Sequence, residues 1–347
     1  MKLNNNEKTL YSRHLLLNEI GLEGQEKIKA AKVLVIGAGG LGCPIIQYLT
    51  AAGVGTIGIV DGDTVDVTNL QRQILFTVDD IGKSKARAVA NRMKQLNPYV
   101  KFNIIHEFLN KDNALALFNQ YDIVVDGSDN FQTRYLCNDA AILTNKPLVF
   151  GSIFKFEGQV SVFNYNNGPT YRCLYPTPPK AGSVPSCSEI GVLGVLPGII
   201  GSYQANEVIK IICGIGEILS GKLLTINTLN NQHFVLGFEK NNNLNITELI
   251  DYDFFCGVEE FEHEIEFSEL TSTHELIDIR TSLERDIQNI GGTHIPEEKI
   301  RNNPNLLNLD KKIVLYCETG TRSNQLIKDL NLKVYSLKGG IKKASLK

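Results

Sequence analysis

Residues 32–42, Lys32-Val-Leu-Val-Ile36 followed by Gly37-Ala-Gly-Gly-Leu-Gly42, decide the fold of the first part of this chain. An apolar run that leads into a glycine-rich turn and then a helical stretch is typical of a buried strand in a parallel sheet. Glycines at such a turn permit close approach of the backbone to phosphate groups, which bind at the N-terminus of the helix. The stretch therefore predicts a nucleotide-binding unit. The glycines expected to form its turn are Gly37, Gly39, Gly40 and Gly42.

A second strand, residues 56–60, ends at Asp61, where a carboxylate can bind ribose hydroxyls. A glycine turn and a carboxylate in these places serve NAD and ATP equally well, so both ligands stay open at this point. Apolar runs predict further strands at 121–125, 147–150, 158–164 and 223–238, and helical patterns occupy 83–96, 130–144 and 199–212. This order of elements predicts an α/β fold with a Rossmann-like mixed sheet.

Charged residues after the second strand distinguish the two nucleotides. Arg72 lies in the polar segment 61–73, and Lys85 lies in the helix predicted next. Both can supply cations to a triphosphate, which carries more charge than the pyrophosphate of a dinucleotide. Asp129 follows strand 121–125, at the carboxyl edge where ligands bind in such sheets. Because a carboxylate beside phosphates is a natural Mg²⁺ ligand, these residues favour ATP and Mg²⁺.

The chain changes character after about residue 240. Asn241-Asn-Asn243 is a polar break, and we predict a linker at 241–265 between a first domain, 1–240, and a second, 266–347. Short apolar runs in the second domain predict strands at 275–279, 313–316 and 333–335. This pattern indicates a second, small α/β domain.

The loop from Cys317 to Arg322 lies between a predicted strand and a predicted helix of the second domain. Its glycine-containing backbone can turn N–H groups inward and form an anion-binding nest at a helix N-terminus. Such a nest stabilises a thiolate or a persulfide anion, and Arg322 adds a cation. The loop therefore predicts a reactive Cys317 that carries sulfur.

Several segments of the first domain resemble the MoeB/ThiF family, which is related to the ubiquitin-activating enzymes. They are Tyr11-Ser-Arg13-His, Gly37-Ala-Gly-Gly-Leu-Gly42, Asp61-Gly-Asp-x-Val-x-x-x-Asn69-Leu-Gln-Arg72-Gln and Ser128-Asp129-Asn130. The resemblance covers about residues 7–240. It implies ATP-dependent adenylation of the C-terminal glycine carboxylate of a small ubiquitin-like sulfur-carrier protein ending in Gly-Gly. The carrier could be the molybdopterin synthase small subunit or a thiamine carrier, so molybdenum cofactor and thiamine biosynthesis both stay open.

The same resemblance implies the residues of the site. Those implied to bind ATP and Mg²⁺ are Gly40, Asp61, Asp63, Asn69, Arg72, Lys85, Asp129 and Asn130. It also implies a homodimer in which Arg13 reaches the nucleotide of the other subunit. Catalysis would then rest on positioning and on neutralising charge. The groups for that task are Arg13, Arg72, Lys85 and an Mg²⁺ ion held by Asp129.

Residues 266–347 resemble a single rhodanese domain. The resemblance rests on Leu276-Ile-Asp-Ile-Arg280, on the loop that begins at Cys317, and on Leu337-Lys-Gly-Gly340. It implies sulfur transfer through Cys317, with a persulfide donor such as a cysteine desulfurase. The aromatic residue that usually follows the Gly-Gly pair is missing here.

Two further expectations concern cysteines of the first domain. Cys187 lies in a long loop, 166–188, that resembles the crossover loop of the family, whose cysteine can link covalently to the activated partner; a plain surface thiol is the alternative. Many relatives hold a structural zinc ion with two Cys-x-x-Cys pairs. The matching positions here are Thr170 with Cys173 and Asp253 with Cys256. Two thiolates fall short of the usual four ligands, so we predict no tightly bound zinc.

Composition excludes several classes. A net charge of −3 gives no basic excess for nucleic acid, and no apolar run reaches the length of a membrane span. Residues 1–7 lack an apolar signal core, and seven widely spaced cysteines do not resemble a disulfide scaffold, so we expect a cytoplasmic protein. Two alternatives are an NAD-dependent oxidoreductase, which leaves Arg72, Lys85 and the second domain unexplained, and a non-catalytic partner-binding scaffold, which requires lost ATP residues.

Overall fold

The first unit of the computed structural model is built on an eight-stranded sheet. The structure describes residues 1–179, 191–257, 263–309 and 311–344, and its units are Met1–Val258 and Glu259–Lys347. The strands of the first unit are β1 (Lys32–Ile36), β2 (Thr56–Val60), β3 (Lys101–Ile105), β4 (Ile123–Asp126), β5 (Leu148–Phe154), β6 (Glu157–Phe163), β7 (Lys222–Asn227) and β8 (Gln232–Gly237). Their order in the sheet is β3-β2-β1-β4-β5-β6-β7-β8.

The sheet is parallel on one side of β5 and antiparallel on the other. Strands β3, β2, β1, β4 and β5 run parallel, and β6, β7 and β8 continue the sheet in antiparallel pairs. Parallel strands place their carboxyl ends at one edge, where the loops after β1, β2 and β4 meet. The predicted Rossmann-like mixed α/β sheet is confirmed.

Helices cover both faces of this sheet because the central strand is apolar on both faces. Val33 and Val35 pack in one core cluster and Leu34 in the other, as expected for side chains that alternate along a strand. The helices of the unit are α1 (Asn5–Leu10), α2 (Ser12–Leu15), α3 (Gly21–Ala30), α4 (Gly42–Ala52), α5 (Lys85–Leu96), α6 (Ala114–Phe118), α7 (Phe131–Leu143), α8 (Tyr171–Leu174), α9 (Leu196–Cys213) and α10 (Tyr252–Phe255). Helices α4 and α9 pack with Val33, whereas α6 and α7 pack with Leu34. Among the described helices, none has both the length and the apolar character needed to cross a membrane.

Two elements differ from the sequence predictions. Strand β3 was not predicted, because it lies at the sheet edge and its side chains are only partly buried. The run predicted as one strand at 223–238 is a hairpin of β7 and β8, and Asn231 takes the left-handed conformation (φ 57°) between them.

The second unit contains a five-stranded sheet in which every pair is parallel. Its strands are β9 (Glu264–Ile265), β10 (His274–Asp278), β11 (Thr293–His294), β12 (Lys312–Tyr316) and β13 (Tyr335–Leu337), in the order β11-β10-β12-β13-β9. Its helices are α11 (Ser282–Ile287), α12 (Glu297–Asn302), α13 (Thr321–Asp329) and α14 (Gly340–Ala344). Ile277, Leu315 and Leu326 are among the side chains of its core.

The segment predicted as a linker, 241–265, contains residues that belong to each unit. Tyr252 at the start of α10 donates a hydrogen bond of 2.8 Å to the buried Asp139 of α7, inside the first unit. Strand β9 is an edge strand of the second sheet. The middle and the C-terminal end of the predicted linker therefore belong to folded structure.

Candidate functional site

A cleft opens at the carboxyl edge of the parallel strands, around the glycine turn after β1. Gly37 is in the left-handed region (φ 88°), and a Cβ on it would lie 3.0 Å from the carbonyl oxygen of Gly127. A Cβ on Gly42, the first residue of α4, would lie 2.0 Å from the carbonyl oxygen of Gly37. The turn therefore closes on itself only with glycine at both positions. Gly37, Gly39 and Gly40 line the cleft. Gly42 does not line the cleft but allows the close approach of the backbone that forms the turn.

Asp61 fixes the glycine turn to the end of β2. Its carboxylate is 8 % exposed and accepts hydrogen bonds from the backbone N–H groups of Ala38 (2.7 Å) and Asp63 (2.8 Å). Burial raises the pKa of Asp61, although these two hydrogen bonds oppose the rise. Each carboxylate oxygen keeps acceptor capacity toward the cleft, which suits the hydroxyl groups of a ribose.

Arg72 and Lys85 supply the cations of the cleft. The Arg72 guanidinium donates to the carbonyl oxygen of Thr68 (3.0 Å), and Lys85 Nζ lies 2.9 Å from the carboxylate of Asp63. Lys85 is buried, while the Asp63 side chain is 55 % exposed. A charge in partly buried surroundings acts more strongly on a ligand than one in water. The two predicted cations therefore lie where they can bind phosphates.

Asp129 is held between two local hydrogen-bonded turns. On one side, Asp126 at the end of β4 accepts from the Ser128 N–H (2.9 Å) and hydroxyl (2.6 Å). On the other side, Asn130 caps α7 by accepting from the Thr133 N–H (2.8 Å). Asp129 and Asn130 both line the cleft. An oxygen donor beside a phosphate site fits Mg²⁺, which is usually held by one or two carboxylates together with substrate phosphates.

Several cleft residues were not predicted from the sequence. Phe108 lies after β3, lines the cleft and is 64 % exposed. Arg134 lies one turn after Asn130 on α7, and its guanidinium stacks on the rings of Phe131 (5.2 Å) and Phe150 (5.8 Å). Helical spacing from Asn130 could have indicated Arg134, whereas Phe108 required knowledge of β3.

Besides Gly42, three predicted residues of the first domain's site lie outside this cleft or outside the described residues. Asn69 is buried in a short turn, and its side-chain oxygen accepts from the Asp66 N–H (3.3 Å). Arg13 is an exposed residue of α2 and does not line the cleft of its own chain. Cys187 falls in 180–190, which is not among the described residues.

The two remaining cysteines of the family's zinc positions are engaged otherwise. Cys173 Sγ accepts hydrogen bonds from the N–H groups of Thr170 (3.3 Å) and Asn241 (3.4 Å). Burial raises the pKa of the Cys256 thiol to about 11, which opposes the thiolate form that binds zinc. Within the described ranges, no three or more His, Cys, Asp or Glu side chains are grouped as metal ligands. The residues at these positions do not fit a four-ligand zinc site.

A buried ion pair lies in the same region. Arg172 binds the carboxylate of Asp139 through two contacts of 2.7 Å, and the Tyr252 hydroxyl donates to the same carboxylate. The guanidinium also stacks on the rings of Tyr135 (4.9 Å) and Phe255 (4.5 Å). These contacts attach α10 to α7 and α8.

In the second unit, Cys317 lies at the carboxyl end of the central strand β12. The thiol is fully buried, accepts from the Gly320 N–H (3.2 Å), and lies 3.6 Å from the Ser323 hydroxyl. Gly320 is left-handed (φ 90°), which turns its N–H toward the sulfur. One backbone N–H of the loop is thus directed at the sulfur at the start of α13, as the predicted nest requires.

The Gly-Gly turn after β13 closes the back of this loop. Gly340 has φ 60°, and a Cβ there would lie 2.5 Å from the Cys317 carbonyl oxygen. That carbonyl accepts the N–H of Ile341 (2.9 Å) in α14. The turn therefore forms, although the usual aromatic residue after it is missing.

Comparison with known proteins gives matches for both parts of the chain. The ThiF family matches residues 11–246, and the rhodanese-like domain matches residues 258–347. A probable adenylyltransferase/sulfurtransferase MoeZ of Mycobacterium tuberculosis is 44 % identical, over 98 % of this chain and 93 % of its own length. A sulfur carrier protein adenylyltransferase of Thermus thermophilus is 47 % identical, over 74 % of this chain and its full length. An adenylyltransferase and sulfurtransferase MOCS3 of Culex quinquefasciatus is 48 % identical, over 74 % of this chain and 60 % of its own length.

Solved structures agree on the fold of the first unit. The crystal structure of Escherichia coli MccB matches with a TM-score of 0.62 and 22 % identity, over 72 % of this chain and 74 % of that one. At this identity the likeness supports the fold alone.

Proposed function

We propose, since the chain belongs to the ThiF family and carries a rhodanese-like domain, that it activates the C-terminal carboxylate of a small sulfur-carrier protein with ATP and delivers sulfur to it. Relatives that are 44–48 % identical are named for both activities or for the first. The observation that carries the proposal is the cleft of the first unit. There a glycine turn, Asp61, Arg72, Lys85 and Asp129 face one space.

The first reaction is adenylation. An oxygen of the carrier's terminal carboxylate attacks the α-phosphorus of ATP, the bond from that phosphorus to the bridging oxygen breaks, and pyrophosphate leaves with the electron pair. The glycine turn and Asp61 hold the nucleoside and phosphates in place. Arg72 and Lys85 neutralise charge that develops on the phosphate oxygens. Asp129 would hold Mg²⁺, and that ion would supply further charge neutralisation.

The second reaction uses Cys317. Its thiolate attacks the outer sulfur of a donor persulfide, such as that of a cysteine desulfurase, and the donor thiolate leaves. The outer sulfur of the Cys317 persulfide then attacks the carbonyl of the acyl adenylate, and AMP leaves. A second thiolate attacks the Cys317 sulfur of the acyl disulfide, which releases the carrier thiocarboxylate and leaves a disulfide at Cys317. The second thiolate can come from a separate thiol molecule. Cys187, which lies outside the described residues, stays our candidate for a covalent link to the activated partner, with a plain surface thiol as the alternative.

We further propose a homodimer with shared active sites. Arg13 lies outside the cleft of its own chain, so it would act in the cleft of a second copy. Helices α4 and α9 form an apolar groove of about 600 Å³ whose lining includes Tyr48 (55 % exposed) and Val195 (60 % exposed). Exposed apolar surface of this kind is typical of an interface, and a second copy is the occupant we propose.

The remaining parts of the proposal concern metals, place and pathway. We propose that ATP and Mg²⁺ are bound and that zinc is not; metal analysis of the purified protein should find zinc far below one ion per chain. We propose a cytoplasmic location, where ATP and a cysteine desulfurase would both be available. The carrier belongs to molybdenum cofactor or thiamine biosynthesis. Capture of small proteins ending in Gly-Gly would identify it.

The test of the proposed function is ATP–pyrophosphate exchange. Exchange should depend on a carrier that ends in Gly-Gly and should disappear when the terminal glycine is removed, because the tail carboxylate is the nucleophile. Hydride transfer from NADH, measured in parallel, should be undetectable. A chain that reduces a substrate with NADH and shows no carrier-dependent exchange would support the oxidoreductase alternative instead.

A further inference from the structure

Arg322, the cation at the end of the loop 317–322 (the sulfur loop), is paired with the carboxylate of Glu284. The Arg322 guanidinium donates to both oxygens of Glu284 on α11, one of them at 3.3 Å. Glu284 is itself fixed, because it accepts from the Thr281 N–H (2.9 Å) and hydroxyl (2.8 Å) in a capping box. Arg322 is therefore held by an anion whose own position is set by α11.

Glu284 stays charged throughout the range of ordinary assays. Burial alone would raise the pKa of Glu284, but hydrogen bonds from Arg322 and Thr281 lower it to about 2. Burial lowers the pKa of Arg322, but the hydrogen bond and the charge of Glu284 outweigh burial and raise it. The pair is thus a permanent neutral unit, and Arg322 lies in the first turn of the helix that follows the Cys317 loop.

Arg280, which contacts the loop, and its neighbour Arg285 are paired with a carboxylate as well. Arg280 is buried and binds the carboxylate of Asp278 through contacts of 2.9 and 3.0 Å. Its guanidinium also lies 3.4 Å from the carboxylate of Glu318, the loop residue after Cys317. Arg285 lies 3.3 Å from the same Asp278. Each of the three arginines is therefore paired with at least one carboxylate, and within this group of six side chains the charges cancel. The backbone nest is left to hold a single negative charge on sulfur.

We infer that Glu284 determines which sulfur donor the second domain accepts. By neutralising Arg322, it makes the loop a poor binding site for small dianions such as thiosulfate, and it favours sulfane sulfur that arrives as the persulfide of a partner protein. A dianion needs cationic partners at the loop, whereas a protein persulfide brings one charge and its own contacts. The inference rests on the proposed sulfurtransferase function and makes Glu284 a positioning residue for Arg322.

The test compares Glu284→Gln with wild type in thiosulfate:cyanide sulfur transfer. Cys317 thiolate attacks the sulfane sulfur, sulfite leaves, and cyanide then removes the sulfur as thiocyanate. The variant frees the Arg322 charge, so the KM for thiosulfate should fall about two- to fivefold, the effect of a partly exposed ion pair. Persulfide transfer from a cysteine desulfurase with cysteine, measured by mass spectrometry on Cys317, should not gain.

Two controls separate charge from folding. Glu275→Gln removes a carboxylate that pairs with Lys311 (2.9 Å) at the opposite edge of the same sheet, and its KM for thiosulfate should equal that of wild type. Thr281→Ala loosens Glu284 without removing its charge. It should lower the KM by less than Glu284→Gln, which keeps the test valid if Glu284→Gln folds poorly.

The inference is wrong if folded Glu284→Gln and Thr281→Ala both show the wild-type KM for thiosulfate, or if desulfurase-dependent transfer gains as much as thiosulfate transfer. That outcome differs from failure of the proposed function. In the latter case Cys317→Ser would still transfer sulfur from either donor.

Discussion

The glycine turn at 37–42 and the sulfur loop at 317–322 have the same local architecture. They differ in where their nearby cations come from and in whether a carboxylate neutralises those cations. Each joins the carboxyl end of a parallel strand to the N-terminus of a helix. The cations near the glycine turn come from other segments, as Arg72 and Lys85. The cation near Cys317 comes from the loop itself, and Glu284 neutralises it.

The difference follows from the size of the anion that each loop is proposed to hold. A triphosphate carries several charges over many atoms, more than one helix N-terminus can balance, so further cations are needed. A persulfide carries one charge on one sulfur, and a few backbone N–H groups suffice. The comparison shows that a strand–loop–helix unit supplies a small anion site and that surrounding side chains adapt it to a larger ligand.

The largest expected effect separates the two loops completely. Cys317→Ser should abolish persulfide formation and thiocarboxylate production while leaving carrier-dependent ATP–pyrophosphate exchange at the wild-type rate. Serine keeps the approximate size of the side chain but cannot carry sulfane sulfur. Mass spectrometry of the carrier provides the measurement, and normal thiocarboxylate yield with a persulfide donor would make the second domain an appendage.

The next effect concerns the charges around the glycine turn. Asp129→Ala and Arg72→Ala should each lower the rate of exchange by about 10²–10³, the usual effect of removing one preorganised charge partner. Persulfide formation on Cys317 should stay unchanged in both variants. A wild-type exchange rate in either variant would remove that residue from the site.

A smaller effect is a partial recovery of exchange activity in a mixed dimer. It would test whether the other subunit supplies Arg13 as a further cation near the glycine turn. Chains with Arg13→Ala and with Arg72→Ala should each be weak alone, yet a purified heterodimer should regain about half of wild-type exchange, because one of its two sites is intact. The controls are homodimers of each variant at the same concentration. No recovery in a verified heterodimer would show that Arg13 does not act across subunits.

Sequence reasoning succeeded where one strongly buried element carried the signal. Strand β1 is almost wholly apolar and buried, so both the fold and the position of the glycine turn could be predicted. Arg72 and Lys85 were predicted as cations for a triphosphate and Asp129 as a Mg²⁺ ligand at the carboxyl edge of the sheet, and all three line the cleft. Family membership and the rhodanese-like domain are confirmed by the comparisons.

Elsewhere the outcome depended on contacts that local patterns do not encode. Phe234, Val235 and Leu236 of β8 are apolar, so the sequence pattern suggested one long strand together with β7. In the structure every residue of β8 is exposed. The hydrogen bond from Tyr252 to Asp139 joins positions 113 residues apart. The polar, linker-like composition around Tyr252 gives no sign of this contact. The Glu284–Arg322 ion pair likewise joins positions 38 residues apart, and no local sequence pattern indicates it.

The smallest effects distinguish glycines that shape the turn from glycines that admit the ligand. In Gly42→Ala the new Cβ would lie 2.0 Å from the Gly37 carbonyl oxygen, so the turn must shift and the free energy of unfolding should fall by about 1–3 kcal/mol. In Gly39→Ala the nearest atom is Gln73 Nε2 at 3.6 Å, an ordinary contact, so thermal stability should match wild type. Because Gly39 lines the cleft, its new methyl group should nevertheless weaken ATP binding several-fold, measured by calorimetry. Thiosulfate:cyanide activity should be unchanged in Gly39→Ala, since the sulfur loop does not depend on this turn. If Gly39→Ala binds ATP as tightly as wild type, the backbone at Gly39 does not approach the phosphates, and the proposed position of the triphosphate must be revised.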